Sequence, residues 1–185
     1  EDVDGEDGTF GILPLNFPYR EEAKSFQVFS ADYLHMRSDG DFEVWQAHTG
    51  KQMLMAFADK DRQNDDWLIS PELSGGKQTV KFWVRSVSRN YSFETYSVMG
   101  STTGRDIADF TEVVKGEAPF DWTEVKVELP EGTKYFAIRC TSADNYLMAL
   151  DDVTYIPGTG LPSEFSLVGY NIYRDGEKIT QEPVG

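Results

Sequence analysis

The feature that most narrows what this chain can fold into is alternation with a period of two, which recurs across its middle and later parts. In residues 78–87 (QTVKFWVRSV), Val80, Phe82 and Val84 fall on one side of an extended backbone, and Lys81, Trp83 and Arg85 on the other. β-Branched and aromatic residues fill the stretch, as a pleated, half-buried surface requires. Residues 94–100 place Tyr96 and Val98 on one face and end in the turn-forming Ser101-Thr102-Thr103-Gly104. Residues 124–129 alternate through Val125, Val127 and Leu129, and residues 135–141 set Phe136, Ile138 and Cys140 opposite Tyr135, Ala137 and Arg139. Pro130-Glu131-Gly132 supplies the turn between these two. Residues 147–156 form a further strand with Asp151 and Asp152 in its middle, and residues 26–29, 42–46 and 52–58 are earlier strand candidates. Helical periodicity is scarce. About eight strands at such spacings predict an all-β chain, an antiparallel two-sheet β-sandwich of the jelly-roll kind, in preference to a parallel α/β arrangement.

The alternation is bounded on both sides. Residues 1–13 read as a lead-in whose first eight are acidic and glycine-bearing, and Pro14 and Pro18 punctuate the entry to a domain spanning residues 14–157. Gly158-Thr159-Gly160-Leu161-Pro162-Ser163 opens a linker over residues 158–167. In residues 168–179 (VGYNIYRDGEKI), Asp175-Gly176 stands where a two-residue type I′ turn wants it. Such a hairpin buries too little surface to stand alone, so residues 168–185 are expected to belong to a next module.

Charge and cysteine content exclude several functions. The 185 residues hold 32 acidic against 17 basic side chains, a formal charge of -15, which repels nucleic-acid phosphates and anionic lipid heads. An acidic surface serves solubility or supplies carboxylate oxygens to a hard cation such as calcium. A single cysteine, Cys140, rules out an internal disulfide and a cysteine-rich zinc site, and its place in an alternating stretch predicts a buried structural thiol. No run of about 18 apolar residues exists to insert into a membrane. An aromatic content of 14% supplies rings for a packed core.

Four segments carry a family resemblance. Asn64-Asp65-Asp66-Trp67-Leu68-Ile69-Ser70-Pro71 resembles a DDWLISP segment, followed by the FWVR strand at residues 82–85. YSFETYSVMGSTTG (residues 91–104) is similar to a strand ending in STTG, YLMALDDV (residues 146–153) to a closing DDV strand, and Pro18-Tyr19-Arg20-Glu21 to an opening P-Y-x-E. Their order and spacing over residues 17–156 resemble the cleaved-adhesin or choice-of-anchor domains of Bacteroidetes surface proteins, related in fold to MAM and galactose-binding-like jelly rolls. Ala23 stands where that family usually has Phe, and Ser30-Ala31-Asp32 lacks its run of alternating Asp and Gly. The tail GYNIYRDGEKI resembles the first strands of a fibronectin type III module. The resemblance implies an extracellular or cell-surface location within a multidomain chain.

Adjacent acids in an apolar strand point to opposite faces, so one of Asp151 and Asp152 heads inward; Asp151 is expected to be that one. With the family likeness, this suggests a structural calcium held by Asp151 and Glu21; the alternative is a carboxylate capped by backbone N–H groups or an arginine. Asp39-Gly40-Asp41 offers a second calcium loop or, equally, a β-turn. Asp65-Asp66 offers the same choice of cation or turn; the favoured reading is that one of the two orders the turn before a buried strand whose Trp67 packs the core. Tyr91 and Phe93, with Trp45 and Trp122, are candidates for a sugar-stacking platform, although each ring alone is better explained as core. Asp144, Asn145 and Tyr146 add groups able to bond sugar hydroxyls. For catalysis the chain offers little: His35 and His48 lack metal-pair spacing, no Gly-x-Ser-x-Gly turn occurs, and carboxylate pairs are inevitable among 32 acids. The expected function is a non-enzymatic adhesion or accessory module acting on a glycan or a host surface protein. The alternatives are a carbohydrate-binding module proper and, from another class, a jelly-roll glycosidase.

Overall fold

Alternating side chains make a strand useful only when one of its faces finds a partner, and here both do. The computed structural model describes residues 25–30, 45–57, 63–143, 145–156, 173–174 and 177–178. Among them the strands are β1 (Gln27–Phe29), β2 (Met53–Phe57), β3 (Asp66–Ile69), β4 (Gln78–Ser86), β5 (Glu94–Ser101), β6 (Thr111–Ala118), β7 (Thr123–Leu129), β8 (Tyr135–Cys140), β9 (Leu147–Ile156), β10 (Tyr173–Arg174) and β11 (Glu177–Lys178). A five-stranded sheet runs β1-β2-β9-β4-β7 and a four-stranded sheet runs β3-β8-β5-β6. Every pairing in both is antiparallel, which is the sandwich that the alternation predicts. Tyr173 pairs with Lys178 and Arg174 with Glu177.

Between the sheets lie Val80, Phe82 and Val84 of β4, Val127 and Leu129 of β7, Met148 and Leu150 of β9, Tyr96 and Val98 of β5, and Phe136, Ile138 and Cys140 of β8. Phe82 meets Tyr96 edge-on across the interface, with ring centroids 5.6 Å apart. Cys140 is the buried thiol its position foretells, and burial first, then the charge of Glu94, pushes its pKa up to about 12. Burying such residues stabilises the fold by roughly 1.5–3 kcal/mol for each large apolar side chain.

The outer faces are also covered. Phe29, Trp45, Met53, Met55, Phe57, Leu147 and Ala149 make a second cluster, so β2 and β9 are apolar on both sides. A third joins Trp67, Met99, Phe110 and Ala137 on the far side of the four-stranded sheet.

Two strands depart from the sequence reading. β3 is four residues long and opens on an acid, and β6 (TEVVKGEA) is an exposed edge with a glycine in it; neither shows clean alternation. Gly116 sits opposite Tyr96, where a Cβ would meet the phenol oxygen at 2.5 Å. Of the candidate strand at residues 42–46, only Trp45 and Gln46 are described, and neither lies in a strand.

Candidate functional site

Among the connections that cross from one sheet to the other at this end of the sandwich are β4 to β5, β6 to β7 and β8 to β9. Ser86, the last residue of β4, ties them together. Its N–H donates to the Pro119 carbonyl (2.7 Å) and its hydroxyl to that of Ala118 (2.6 Å), while the Glu94 N–H donates to its Oγ (2.7 Å). The Glu94 carboxylate, 2% exposed, accepts from the Tyr146 N–H at 2.8 Å. Burial raises the Glu94 pKa, and the hydrogen bonds from Ser142, Tyr146 and Leu147 only partly oppose this.

On this frame stand the rings. Tyr91 and Tyr146 stack at 5.3 Å with planes 9° apart, and Phe93 packs on Phe120 at 4.7 Å. Tyr91 is 44% exposed and Phe93 40%. The Asn145 amide donates to the Phe93 carbonyl at 2.8 Å, joining the two loops. Thus Tyr91, Phe93, Asn145 and Tyr146 come together, although the two stacked tyrosines stand 55 positions apart in the chain. Asp144 lies outside the described residues.

The aromatic surface continues onto the outer face of the five-stranded sheet. His48 stacks on Trp83 at 3.7 Å and meets Trp122 edge-on at 5.9 Å, and the Trp122 indole N–H donates to the Gln46 carbonyl at 3.3 Å. Arg85 lies over Trp122, and Arg89 over Phe120. The sequence reading missed His48 and Arg85; its only signal was that Trp83 and Arg85 alternate outward. Of the two readings open to Trp45, core holds over display: it is 7% exposed and packs 5.6 Å from Phe29.

The paired acids also need correcting. Strict alternation puts Asp152 on the face of Met148 and Leu150, between the sheets, and Asp151 on the opposite one. Instead, the β4–β9 register shifts between Lys81 and Trp83, and Asp152 takes a positive φ of 48°. This bulge turns Asp152 outward and lets Val153 pack against the inter-sheet core in its place. Both carboxylates then meet the same loop. Asp152 accepts from the Thr49 hydroxyl (2.6 Å) and contacts His48 Nδ1 (2.7 Å), and Asp151 accepts from the N–H groups of Thr49 (3.1 Å) and Asp152 (2.8 Å). Asp151 is therefore half-buried and capped by backbone donors, not buried in the core. The Thr49 hydroxyl first, then His48, holds the Asp152 carboxyl below its ordinary value. A cleft of about 650 Å³ beside them is lined by Ser30, Thr49, Gly50, Lys51, Gln52 and the two acids.

Among the described residues no three His, Cys, Asp or Glu side chains converge as metal ligands. Calcium takes six to eight oxygens, and these two carboxylates already accept from protein donors, so the described residues alone do not make a calcium site. Glu21, Asp39 and Asp41 lie outside them. Trp67 is buried as expected, and its indole and Arg139 both donate to Asp65 Oδ1. No helix among the described residues is long and apolar enough to cross a membrane.

Fold and site together define an adhesin-type β-sandwich module that gathers aromatic loops at one end. The chain belongs to the Cleaved Adhesin Domain family, whose model matches residues 21–155. It is 36% identical over 137 residues to Lys-gingipain W83 of Porphyromonas gingivalis, covering 62% of this chain and 8% of that protein. It is 30% identical over 189 residues to Protease PrtH of the same species, 82% of this chain and 18% of the other, and 35% identical over 137 residues to Hemagglutinin A, 62% and 6%. The chain therefore spans less than a fifth of these relatives' lengths. Two solved adhesin domains of Lys-gingipain share the fold. The K1 domain has a TM-score of 0.58 at 24% identity, covering 74% of this chain and 92% of that one; the K3 domain has 0.56 at 26%, covering 74% and 93%.

Proposed function

We propose that this chain is a non-catalytic binding module of a secreted or surface-attached multidomain protein, and that its aromatic loop end holds a glycan. One observation carries the reading: three sheet-crossing loops, pinned by Ser86 and Glu94, present the Tyr91–Tyr146 stack and the exposed Phe93 beside the Asn145 amide. A flat ring holds the apolar face of a pyranose, and a neighbouring amide both donates to and accepts from hydroxyls. A glycan array probed with the intact chain tests this, with Tyr91→Ala and Phe93→Ala as variants. Loss of most binding in the variants, with unfolding midpoints unchanged, supports the site. Binding to host-matrix proteins with no response to any glycan supports the adhesion class and overturns the glycan. The module turns over no polysaccharide or peptide on this reading, and hydrolysis abolished by changing one acid overturns it.

Calcium at Asp151 is a separate proposal, suggested by two acids beside a cleft and by family likeness. It requires oxygens from segments beyond the described ones, Glu21 among them. Melting in calcium and in chelator tests it.

A further inference from the structure

The outer face of the five-stranded sheet carries a cation that no carboxylate among the described residues bonds directly. Arg85 projects from β4 next to Trp83 and is 7% exposed, and its Nε is buried with no hydrogen-bond partner. Among the described residues no carboxylate pairs with its guanidinium; its contact is the face of Trp122, 5.7 Å from ring centroid to guanidinium carbon. Asp121, the acid that acts on it, bonds Arg89 at 2.8 Å, and Arg89 in turn lies over Phe120. Burial lowers the pKa of Arg85; Asp121 offsets part of this and Arg89 adds to it.

A guanidinium stays charged in proteins, and a buried charge is costly unless it is paired. In a chain with 32 acidic side chains, an acid placed opposite Arg85 would be easy to supply. None of the described acids fills that place. The ring beneath the guanidinium recovers part of the lost hydration and leaves the planar donor fork without an anion.

We propose that Arg85 and Trp122 form a subsite for an acidic sugar, with the sugar carboxylate on the guanidinium and its pyranose face against the indole. This rests on the glycan-binding reading above and names the class of glycan. The fork of Arg85 matches a planar carboxylate with two parallel hydrogen bonds. The net charge of -15 repels densely sulfated chains and tolerates a ligand carrying one charge per sugar. His48 and Trp83 flank the subsite as a second stacked surface.

The test compares hexuronic-acid oligosaccharides with the same oligosaccharides after carboxyl reduction, by calorimetry on the intact chain, with heparin as a sulfated arm. A bidentate charge-assisted contact predicts that the acid binds at least about tenfold more tightly than the reduced form. Arg85→Lys keeps the charge and loses the fork, and should cut that preference to below about threefold. Trp122→Ala should weaken acid and reduced forms alike, and Arg89→Gln should leave the preference in place. Should Arg85→Lys fail to fold, the acid-to-reduced ratio of the parent and of Trp122→Ala decides the matter. Equal binding of acid and reduced forms, an undiminished preference in Arg85→Lys, or heparin bound more tightly than the uronate overturns the subsite. Neutral glycans bound without acid preference sink the subsite alone, and no glycan bound at all sinks the reading on which it rests.

Discussion

At Asp152, exchange for glycine should cost less than exchange for alanine, the reverse of what an ordinary strand position shows. The carboxylate makes two half-exposed contacts, with the Thr49 hydroxyl at 2.6 Å and His48 at 2.7 Å. Discounted for solvent, each contributes roughly 0.5–1 kcal/mol, and both variants lose them. The backbone separates the two. At a φ of 48° a Cβ costs roughly 1–2 kcal/mol, which glycine avoids. Glycine gives back roughly 0.5–1 kcal/mol in chain entropy, so at the midpoints of these ranges Asp152→Gly should be more stable than Asp152→Ala by about 0.7 kcal/mol. That is about 1–4 °C in Tm for a chain of this size. Urea unfolding of both variants at neutral pH reads the difference. The carboxyl sits below its ordinary value in the folded chain, so its contribution is present above the unfolded carboxylate pKa and lost as pH falls through the folded value. The gap between parent and either variant should therefore close in acid. Alanine equal to or better than glycine would refute the bulge, and with it the account of why Val153 and not Asp152 reaches the core.

Glu94 carries the opposite sign. Its folded pKa is raised, so its contribution is greatest below the unfolded value and falls as pH rises through the folded one; Glu94→Gln should gain on the parent between acid and neutral pH, and parallel Tm profiles would contradict this. If calcium binds at Asp151, saturation at about a hundred times Kd stabilises the chain by about 2.7 kcal/mol; chelator should then lower Tm by several degrees and Asp151→Ala should abolish the response. Identical melting in calcium and chelator rejects the metal. Removal of residues 160–185 should leave the cooperative unfolding of the sandwich intact, since a Gly- and Pro-bearing linker precedes the hairpin; a broadened transition would put the boundary elsewhere.

Much of the sandwich was legible in the chain itself, because a half-buried strand must alternate and a turn must hold residues that can make it. Residues 78–87, 124–129 and 135–141 show this, and β4, β7 and β8 pair there. The legible part ends where burial is not one-sided. β9 is apolar on both faces from Leu147 to Leu150, so period two cannot say which face of residues 151–152 is inner, and the choice of Asp151 as the buried acid failed there. β6 hides its pairing because an exposed edge strand needs no apolar face, and β3 because four residues are too few to show a period.

The site divides along the same line. Local composition picked out Tyr91, Phe93, Asn145 and Tyr146 as groups suited to a sugar. That they meet depends on the crossovers β4–β5, β6–β7 and β8–β9 emerging at one end, and on hydrogen bonds accepted by the Ser86 and Glu94 side chains, the longer spanning 52 positions. Arg85 shows the limit most plainly. Its alternation assigns it to an outward face, where an arginine is ordinarily solvated. The packing of Trp122, carried in by a different crossover, covers the charge, and among the described residues no carboxylate bonds it. Strand identity is a local property, set by side chains two residues apart, whereas the burial of a charge is a sum over every element that folds against it, and tertiary structure alone performs that sum.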